Sequence, residues 1–114
     1  MTAKLTNVDL VQAQLDAYNA QDLDAYCAFF ADDVIVSDLN GQVTTRGNAA
    51  YRARYAGAFK QFPENKAELL NRMVCGSTVI DHEKVVRAPG GETFEILAIY
   101  TIADGKIARV DFAK

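Results

Sequence analysis

The sequence predicts an α+β fold in which helices come first and an antiparallel sheet follows. Apolar residues recur at helical spacing in the first half of the 114-residue chain, and alternating strand patterns separated by short turns fill the second half. Short turns make consecutive strands antiparallel neighbours. Helices that precede an antiparallel sheet are typical of the α+β class. No linker or repeat interrupts the pattern, so residues 1–114 are interpreted as one domain.

Three helices are predicted ahead of the sheet. Thr6 and Asp9 have the spacing of a capping box at the start of the first. Asp22 is suited to cap a short second helix. Asn48 is predicted to cap the third, which Pro63 ends. The apolar faces of the three helices are Val8, Val11, Leu15 and Tyr18; Leu23, Tyr26, Cys27 and Phe30; and Tyr51, Tyr55 and Phe59.

A hairpin is predicted between the second and third helices. Val34, Val36 and Asp38 share one face of its first strand, because side chains alternate along a strand. Asn40-Gly41 is a strong hairpin turn signal, and residues 42–46 form the return strand. Four further strands are predicted near residues 66–75, 78–87, 92–103 and 106–113.

Composition excludes several function classes. Fifteen acidic residues against twelve basic ones give a net charge of -3, which does not favour nucleic-acid binding. The chain lacks an apolar run long enough for a membrane span, and its N-terminal stretch lacks a secretory signal pattern. Cys27, Cys75 and the lone His82 lack metal-ligand spacing. We therefore expect a cytoplasmic protein with reduced thiols and no metal, cofactor, nucleic-acid or membrane partner.

The strand near 92–103 is apolar on both faces. One row is wholly apolar, and Leu97 and Ile99 occupy the middle of the other. The wholly apolar row is Phe94, Ile96, Ala98, Tyr100 and Ile102. Helices can cover one face, and a second copy of the chain is predicted to cover the other, because exposed apolar patches mark interfaces. The sequence therefore predicts a homodimer formed through the sheet, with cover by a loop as the alternative.

Asp38 has two interpretations. If the Val34 and Val36 side of its strand is the core, Asp38 lies at the mouth of an apolar pocket. Burial there would raise the pKa of its carboxyl and suit it to proton transfer near neutral pH. Alternatively, Asp38 opens the following turn and faces water.

His82 depends on the phase of the strand near 78–87. One phase turns Ile80, His82 and Lys84 inward. The other buries Asp81 and Glu83, which is costly without partners. The first phase is therefore predicted, with His82 facing a pocket. Asp81 and Glu83 then form a solvated face that pairs with Arg72 or Arg87 on neighbouring strands.

Residues 17–38, AYNAQDLDAYCAFFADDVIVSD, resemble the ketosteroid isomerase branch of the nuclear-transport-factor-2-like superfamily, which includes the SnoaL-like polyketide cyclases. RGNAAYRARY at 46–55 and IADGKIARVDF at 102–112 resemble its third helix and final hairpin. The resemblance implies a cone-shaped α+β barrel. In that fold a strongly curved antiparallel sheet wraps around three N-terminal helices and leaves an apolar pocket. Isomerases, cyclases, dehydratases, epoxide hydrolases and binding modules share the fold, so it does not select a reaction.

The resemblance also assigns roles. Asp38 matches the aspartate that acts as general base in ketosteroid isomerases, and Tyr55 matches a tyrosine of the third helix. The two oxyanion-donor positions hold Gln14 and about Ala98, so an efficient steroid isomerase is not expected. Tyr18, one helical turn beyond Gln14, is an alternative hydroxyl donor.

Taken together, the sequence predicts a pocket protein that binds a compact apolar carbonyl or hydroxyl compound. The predicted chemistry is cofactor-free isomerisation, dehydration or cyclisation, with Asp38 as base, His82 as acid or orienting partner, and Tyr18 and Tyr55 as donors. The predicted substrate-binding residues are Gln14, Phe30, Val36, Ile96, Ala98, Tyr100, Val110 and Phe112. The alternative is a non-catalytic ligand-binding or dimeric association module of the same fold.

Overall fold

A computed structural model describes residues 5–114 as three helices packed against a curved six-stranded mixed sheet. Residues 1–4, part of the stretch searched for a secretory signal, lie outside that range. The helices are α1 (Asn7–Ala20), α2 (Leu23–Ala28) and α3 (Asn48–Gln61). The strands are β1 (Phe30–Asp38), β2 (Val43–Arg46), β3 (Lys66–Cys75), β4 (Thr78–Val86), β5 (Thr93–Ala103) and β6 (Lys106–Ala113). The predicted α+β class is confirmed.

The strand order is β2-β1-β6-β5-β4-β3. Strands β3 to β6 form the predicted antiparallel meander. Strand β1, however, pairs antiparallel with β2 and parallel with β6, so the sheet is mixed and not wholly antiparallel. Turn length fixes direction only between strands that follow each other in sequence, and most of the chain separates β1 from β6.

Two of the three predicted helix caps are confirmed. The Asp9 N–H donates to Thr6 Oγ1 at 3.0 Å and the Thr6 N–H donates to Asp9 Oδ2 at 3.2 Å, which completes the capping box. The Ala25 N–H donates to Asp22 Oδ1 at 3.2 Å at the start of α2. These bonds satisfy backbone donors that a helix start leaves without partners.

The third cap differs from the prediction. Gly47 is the N-cap of α3, with a φ of 87° that favours glycine, and Asn48 is the first residue of the helix. The Asn48 side chain instead donates to the backbone carbonyls of Cys27 and Phe30, both at 3.0 Å. Asn48 therefore fastens α3 to the junction between α2 and β1. Helix α3 ends at Gln61, before Pro63, as predicted.

The phase of β4 is opposite to the predicted one. Asp81 and Glu83 lie on the inner face of the sheet with exposed fractions of 0% and 6%, flanked by the buried Val79 and Val85. His82 therefore lies on the outer face. An ion pair with Arg72 reduces the cost of burying Asp81, and a raised pKa reduces the cost of burying Glu83.

Strand β5 alternates as predicted. Its apolar row from Phe94 to Ile102 is half-buried or buried, while Leu97 on the outer face is 37% exposed. Cys27 is buried in the core, and burial raises the pKa of its thiol, which suits an inert side chain. Within residues 5–114, none of the helices combines the length and the apolar character that a membrane crossing needs.

Candidate functional site

A cavity of about 600 Å³ lies between the helices and the inner face of the sheet. This size is in the range of small-molecule sites. Its inner end, defined by its buried lining residues that carry polar groups, has Gln14, Tyr26, Glu83 and Tyr100. Its rim, where the side chains are half-buried or exposed, carries Asp38, Arg54, Arg87 and Lys114. The wall between them is mainly apolar and includes Leu15, Val85, Phe94, Ile96 and Phe112.

Glu83 is the principal acid of the cavity. Strand β4 turns it inward, and its Oε2 is buried without a hydrogen-bond partner among the described residues. The pKa of the Glu83 carboxyl is raised from 4.5 to about 7. Burial is the largest cause, the nearby charge of Asp81 adds to it, and the charge of Arg72 opposes both effects. A carboxyl with a pKa near 7 is present in both protonation states at neutral pH. Glu83 is therefore suited to accept and return a proton.

Asp81 is buried with a dedicated cation. Arg72 Nε donates to Asp81 Oδ1 at 2.7 Å and Arg72 Nη2 donates to Oδ2 at 2.9 Å. The third guanidinium nitrogen, Nη1, donates to Gln12 Oε1 at 2.9 Å. This two-point contact offsets the cost of burying Asp81, and the predicted Arg72 pairing is confirmed, although on a buried face. Among residues 5–114, Glu83 forms no ion pair with a basic side chain, so its carboxyl lacks the charge partner that Asp81 has.

Tyr100 and Gln14 form a buried pair that lines the same cavity as Glu83. Gln14 Nε2 donates to the Tyr100 hydroxyl oxygen at 3.1 Å, which leaves the hydroxyl hydrogen of Tyr100 available to another acceptor. Burial, followed by the charges of Glu83 and Asp81, raises the pKa of Tyr100 well above its ordinary value. Tyr100 thus stays protonated and can donate a hydrogen bond at neutral pH. The predicted donor position near Ala98 is apolar, and Tyr100 lies two residues further along the same strand face.

Tyr18 and Tyr55 line the cavity from the helices, as predicted. The Tyr18 hydroxyl accepts a hydrogen bond from Asn65 Nδ2 at 2.5 Å. Burial is the main cause that raises the pKa of Tyr18 to about 12. The Tyr55 ring packs edge-on against Tyr18, with centroids 6.2 Å apart, and more closely against Tyr51 at 4.6 Å. Tyr18 is therefore neutral at physiological pH, and both side chains combine core packing with a hydroxyl group.

The structure supports part of each interpretation of Asp38, as a residue at a pocket mouth and as a turn residue that faces water. It lines the rim of the cavity, yet its side chain is exposed to solvent. Val34 and Val36 are fully buried, and a register irregularity between Val36 and Ser37 precedes the strand end. The Asp38 carbonyl accepts the Gly41 N–H at 2.8 Å and so closes the hairpin turn. Asp38 is thus a solvated carboxylate at the cavity mouth.

His82 does not line the cavity, and the prediction that it faces a pocket is wrong. Its Nε2 lies 2.6 Å from Glu95 Oε1, and its Nδ1 lies 3.2 Å from Asn71 Nδ2. Both partners lie across from it or diagonal to it on β5 and β3, on the outer face. On the outer face the imidazole therefore has hydrogen-bond partners on both neighbouring strands.

The predicted substrate-binding residues divide into two groups. Gln14, Ile96, Tyr100 and Phe112 line the cavity. Four others lie in the core, at exposed fractions of 2% or less, and not on the cavity wall: Phe30, Val36, Ala98 and Val110. Sequence reasoning did not find Glu83. The available signal was the pair of β-branched residues, Val79 and Val85, that bracket the two acids in the same strand row.

Comparisons with known proteins agree with this architecture. An uncharacterised cystatin-fold protein from Novosphingobium aromaticivorans superposes with a TM-score of 0.90 at 33% identity, covering 96% of this chain and 99% of that one. A candidate polyketide cyclase from Sinorhizobium meliloti superposes with a TM-score of 0.78 at 29% identity, covering 96% and 100%. A candidate ketosteroid isomerase from Kribbella flavida superposes with a TM-score of 0.78 at 17% identity, covering 93% and 75%, and this likeness shows the fold alone.

The resemblance predicted from the sequence is confirmed by a family comparison. The profile of the SnoaL-like domain family matches residues 11–110. This range runs from the middle of α1 into β6 and includes both Glu83 and Tyr100. Because the match covers most of the chain, the protein belongs to the SnoaL-like domain family.

Proposed function

We propose that this protein is a cofactor-free proton-transfer enzyme that acts on a compact, largely apolar compound carrying a carbonyl or hydroxyl group. The observation that carries the proposal is Glu83. Its carboxyl has a pKa of about 7 and an unpartnered buried oxygen, and it faces a cavity of about 600 Å³. Perturbed acids in apolar clefts are typical of catalytic sites.

In the proposed mechanism the Glu83 carboxylate removes a proton from the carbon next to the substrate carbonyl. The electron pair of that C–H bond moves to form a carbon–carbon double bond, and negative charge develops on the carbonyl oxygen. The Tyr100 hydroxyl, oriented by Gln14 at 3.1 Å, donates a hydrogen bond to that oxygen. Protonated Glu83 then returns the proton to another carbon, which isomerises the substrate, or to a departing hydroxyl, which dehydrates it.

Asp38 has a different place in this proposal from the one the sequence predicted. The family resemblance supports Asp38 as the general base, and its position on the cavity rim is compatible with that role. Its exposed carboxylate, however, lacks the burial that tunes Glu83. We therefore assign the internal proton transfer to Glu83 and treat Asp38 as a second base whose contribution a substitution can separate from that of Glu83.

Family relationships support a cyclic or polyketide-like ketone as the substrate. The Sinorhizobium relative described above, which aligns over nearly the whole chain, is a candidate polyketide cyclase. Ring closure of a polyketide also begins by removal of a proton next to a carbonyl. The same residues can therefore serve isomerisation, dehydration or cyclisation.

Deuterium exchange tests the proposal without knowledge of the product. A panel of enones, steroids, flat aryl ketones and small polyketide-like ketones is incubated with the protein in D2O, and exchange of the protons next to each carbonyl is followed by NMR. The variants are Glu83→Gln, Asp38→Asn and, as a matched control, Glu68→Gln. Glu68 is an exposed glutamate on β3, across from Lys84 on the outer face.

We expect wild-type protein and Glu68→Gln to exchange at least one ketone, and Glu83→Gln to lose about a hundred-fold in rate. If the exchange rate is unchanged in Glu83→Gln but falls in Asp38→Asn, the base is Asp38 and not Glu83. Tight binding without exchange in the wild type overturns the catalytic proposal and favours a non-catalytic binding module. Melting curves of each variant report whether it is folded.

We also propose a homodimer formed through the outer face of the sheet. Met73, Ile80 and Ile99 are in register across β3, β4 and β5 on that face, beside Leu97. Met73 is 68% exposed in the single chain, so a second copy that covers this row removes apolar surface from water. Sedimentation equilibrium of the wild type and Ile99→Asp tests the proposal, which a monomeric wild type at micromolar concentration overturns.

A further inference from the structure

We infer that the ligand of this cavity carries an anionic group, such as a carboxylate, which Arg87 and its neighbouring rim cations bind while the carbonyl end reaches Glu83. This inference rests on the proposed function, because Glu83 defines which end of the ligand reacts. Four observations support it: the charge of the rim, the availability of its cations, the fixed position of Arg87, and the spacing of Arg87 from Glu83.

The rim is basic in an acidic protein. Three of its four charged side chains are cations, Arg54, Arg87 and Lys114, and the fourth is Asp38. The whole chain has a net charge of -3. The cavity mouth therefore has the opposite sign of charge from the protein as a whole, and it favours anions over cations at that opening.

The rim cations form no ion pairs within the part of the chain that the structure describes. Of the four ion pairs found among residues 5–114, none includes Arg54, Arg87 or Lys114. Arg54 donates instead to hydroxyls, among them Thr45 Oγ1 at 3.2 Å. These side chains can therefore bind an incoming carboxylate without first breaking an internal ion pair.

Arg87 is held in place before any ligand arrives. Its Nη1 donates to Asn65 Oδ1 at 3.1 Å, and Asn65 is buried. The guanidinium carbon lies 4.4 Å from the ring centre of Phe62 and 4.9 Å from that of Phe94. A guanidinium stacked on aromatic rings is weakly hydrated and already ordered, so it loses little freedom when it binds a carboxylate. Lys114 Nζ lies 4.4 Å from the same Phe94 ring and adds a second cation there.

The positions of Arg87 and Glu83 fix the direction of the ligand. Glu83, Val85 and Arg87 are alternate residues that all line the cavity. Arg87 directly follows the end of β4, and its N–H donates to the Glu92 carbonyl at 3.0 Å. At about 3.3 Å per residue, the Cα atoms of Glu83 and Arg87 are roughly 13 Å apart. An anionic group is repelled by ionised Glu83 and attracted by Arg87. The acid end of the ligand therefore lies at the rim and the carbonyl end at the inner end of the cavity.

A matched pair of probes tests this inference. The first is 6-acetyl-2-naphthoate, which has a ketone at one end and a carboxylate at the other, and the second is its neutral methyl ester. Dissociation constants are measured by naphthalene fluorescence and by titration calorimetry. The proteins are the wild type, Arg87→Gln, Arg54→Gln and the control Arg52→Gln. Arg52 is an exposed residue on α3 that pairs with Asp24, and it does not line this cavity.

We expect the wild type and Arg52→Gln to bind the carboxylate at least ten-fold more tightly than the ester, with a preference that weakens as salt is raised. Arg87→Gln should lose most of that preference while its affinity for the ester changes less than three-fold. Arg54→Gln, at a more exposed site, should lose less and provides the second test if Arg87→Gln melts early. Equal affinity for both probes, a preference that survives both substitutions, or no binding of the carboxylate at millimolar concentration overturns the inference. Deuterium exchange of neutral 2-acetylnaphthalene reports separately on Glu83, so failure of the anion site and failure of the proposed catalysis are distinguishable.

Discussion

Replacing Glu83 with glutamine should change how the stability of this protein depends on pH. In the folded chain the pKa of Glu83 is about 7, compared with an ordinary value of 4.5. Between these two pH values the folded chain holds a proton that the unfolded chain has released. Raising the pH through this range therefore favours unfolding, and the stability that neutral Glu83 contributes is fully present below about pH 4.5 and lost as the pH passes 7.

The size of the effect follows from the same two values. At about 1.4 kcal/mol for each pKa unit, the rise corresponds to about 3 kcal/mol of unfolding free energy. Glu83 is only 6% exposed, so solvent screening reduces this value little. For a domain of this size, about 3 kcal/mol corresponds to roughly 10 °C in melting temperature.

The assay is thermal unfolding followed by circular dichroism at intervals between pH 4 and pH 9. The wild type should lose about 3 kcal/mol of stability across that range relative to Glu83→Gln, because glutamine cannot ionise. Glu68→Gln, which removes an exposed carboxyl from the same sheet, should follow the wild-type curve. The cost of burying the glutamine amide does not depend on pH. It therefore shifts the whole Glu83→Gln curve and does not change its slope. Parallel curves for the wild type and Glu83→Gln would refute the assignment of a raised pKa to Glu83.

Three other substitutions test separate parts of the structure. Tyr100→Phe should lower the exchange rate about a hundred-fold with a small change in ligand affinity, because Gln14 then orients no hydroxyl; an unchanged rate removes Tyr100 from the proposed mechanism. Asn48→Ala should lower the free energy of unfolding in urea by about 2 kcal/mol, because the carbonyls at the α2–β1 junction lose their donor. A decrease below about 0.5 kcal/mol would show that water replaces the Asn48 amide. His82→Gln should leave ligand affinity and exchange within two-fold of wild type, since the imidazole lies on the outer face; a larger loss would show that it acts on the cavity.

Local sequence signals predicted most of the elements because their physical causes are local. The capping box at Thr6 and the cap at Asp22 depend on residues only three positions away. The meander strands depend on alternation and on turns that the chain makes at once. The parallel pairing of β1 with β6 has no such local cause, because β2, α3 and the strands β3 to β5 separate the two strands in the sequence. The Asn48 amide likewise finds its carbonyl partners some 20 residues back along the chain.

The predicted phase of β4 is wrong because it gives the cost of burying two acids more weight than the flanking pair Val79 and Val85. The cost of burying Asp81 and Glu83 was estimated for unpaired, ionised groups. In the fold, Asp81 meets the Arg72 guanidinium across the strand pair, with Gln12 on the third nitrogen. Glu83 avoids much of the cost by holding a proton near neutral pH. Both solutions depend on register and depth, which a strand pattern does not contain.

The observed phase of β4, which buries Asp81 and Glu83, also explains why Glu83 suits the proposed function. Asp81, which Arg72 contacts at two points, contributes to the pairing of β3 with β4 and not to the open part of the cavity. An acid that is buried without a partner destabilises the folded chain as it ionises, and that cost is the source of its pKa near 7. If a substrate carbonyl hydrogen-bonds to Tyr100 and excludes water, the pKa of Glu83 should rise further, since burial is already its main cause. A 13C-NMR titration of the glutamate carboxyls with and without 2-acetylnaphthalene measures this directly, and a pKa that falls on binding would contradict a site in which Glu83 acts beside an apolar ligand.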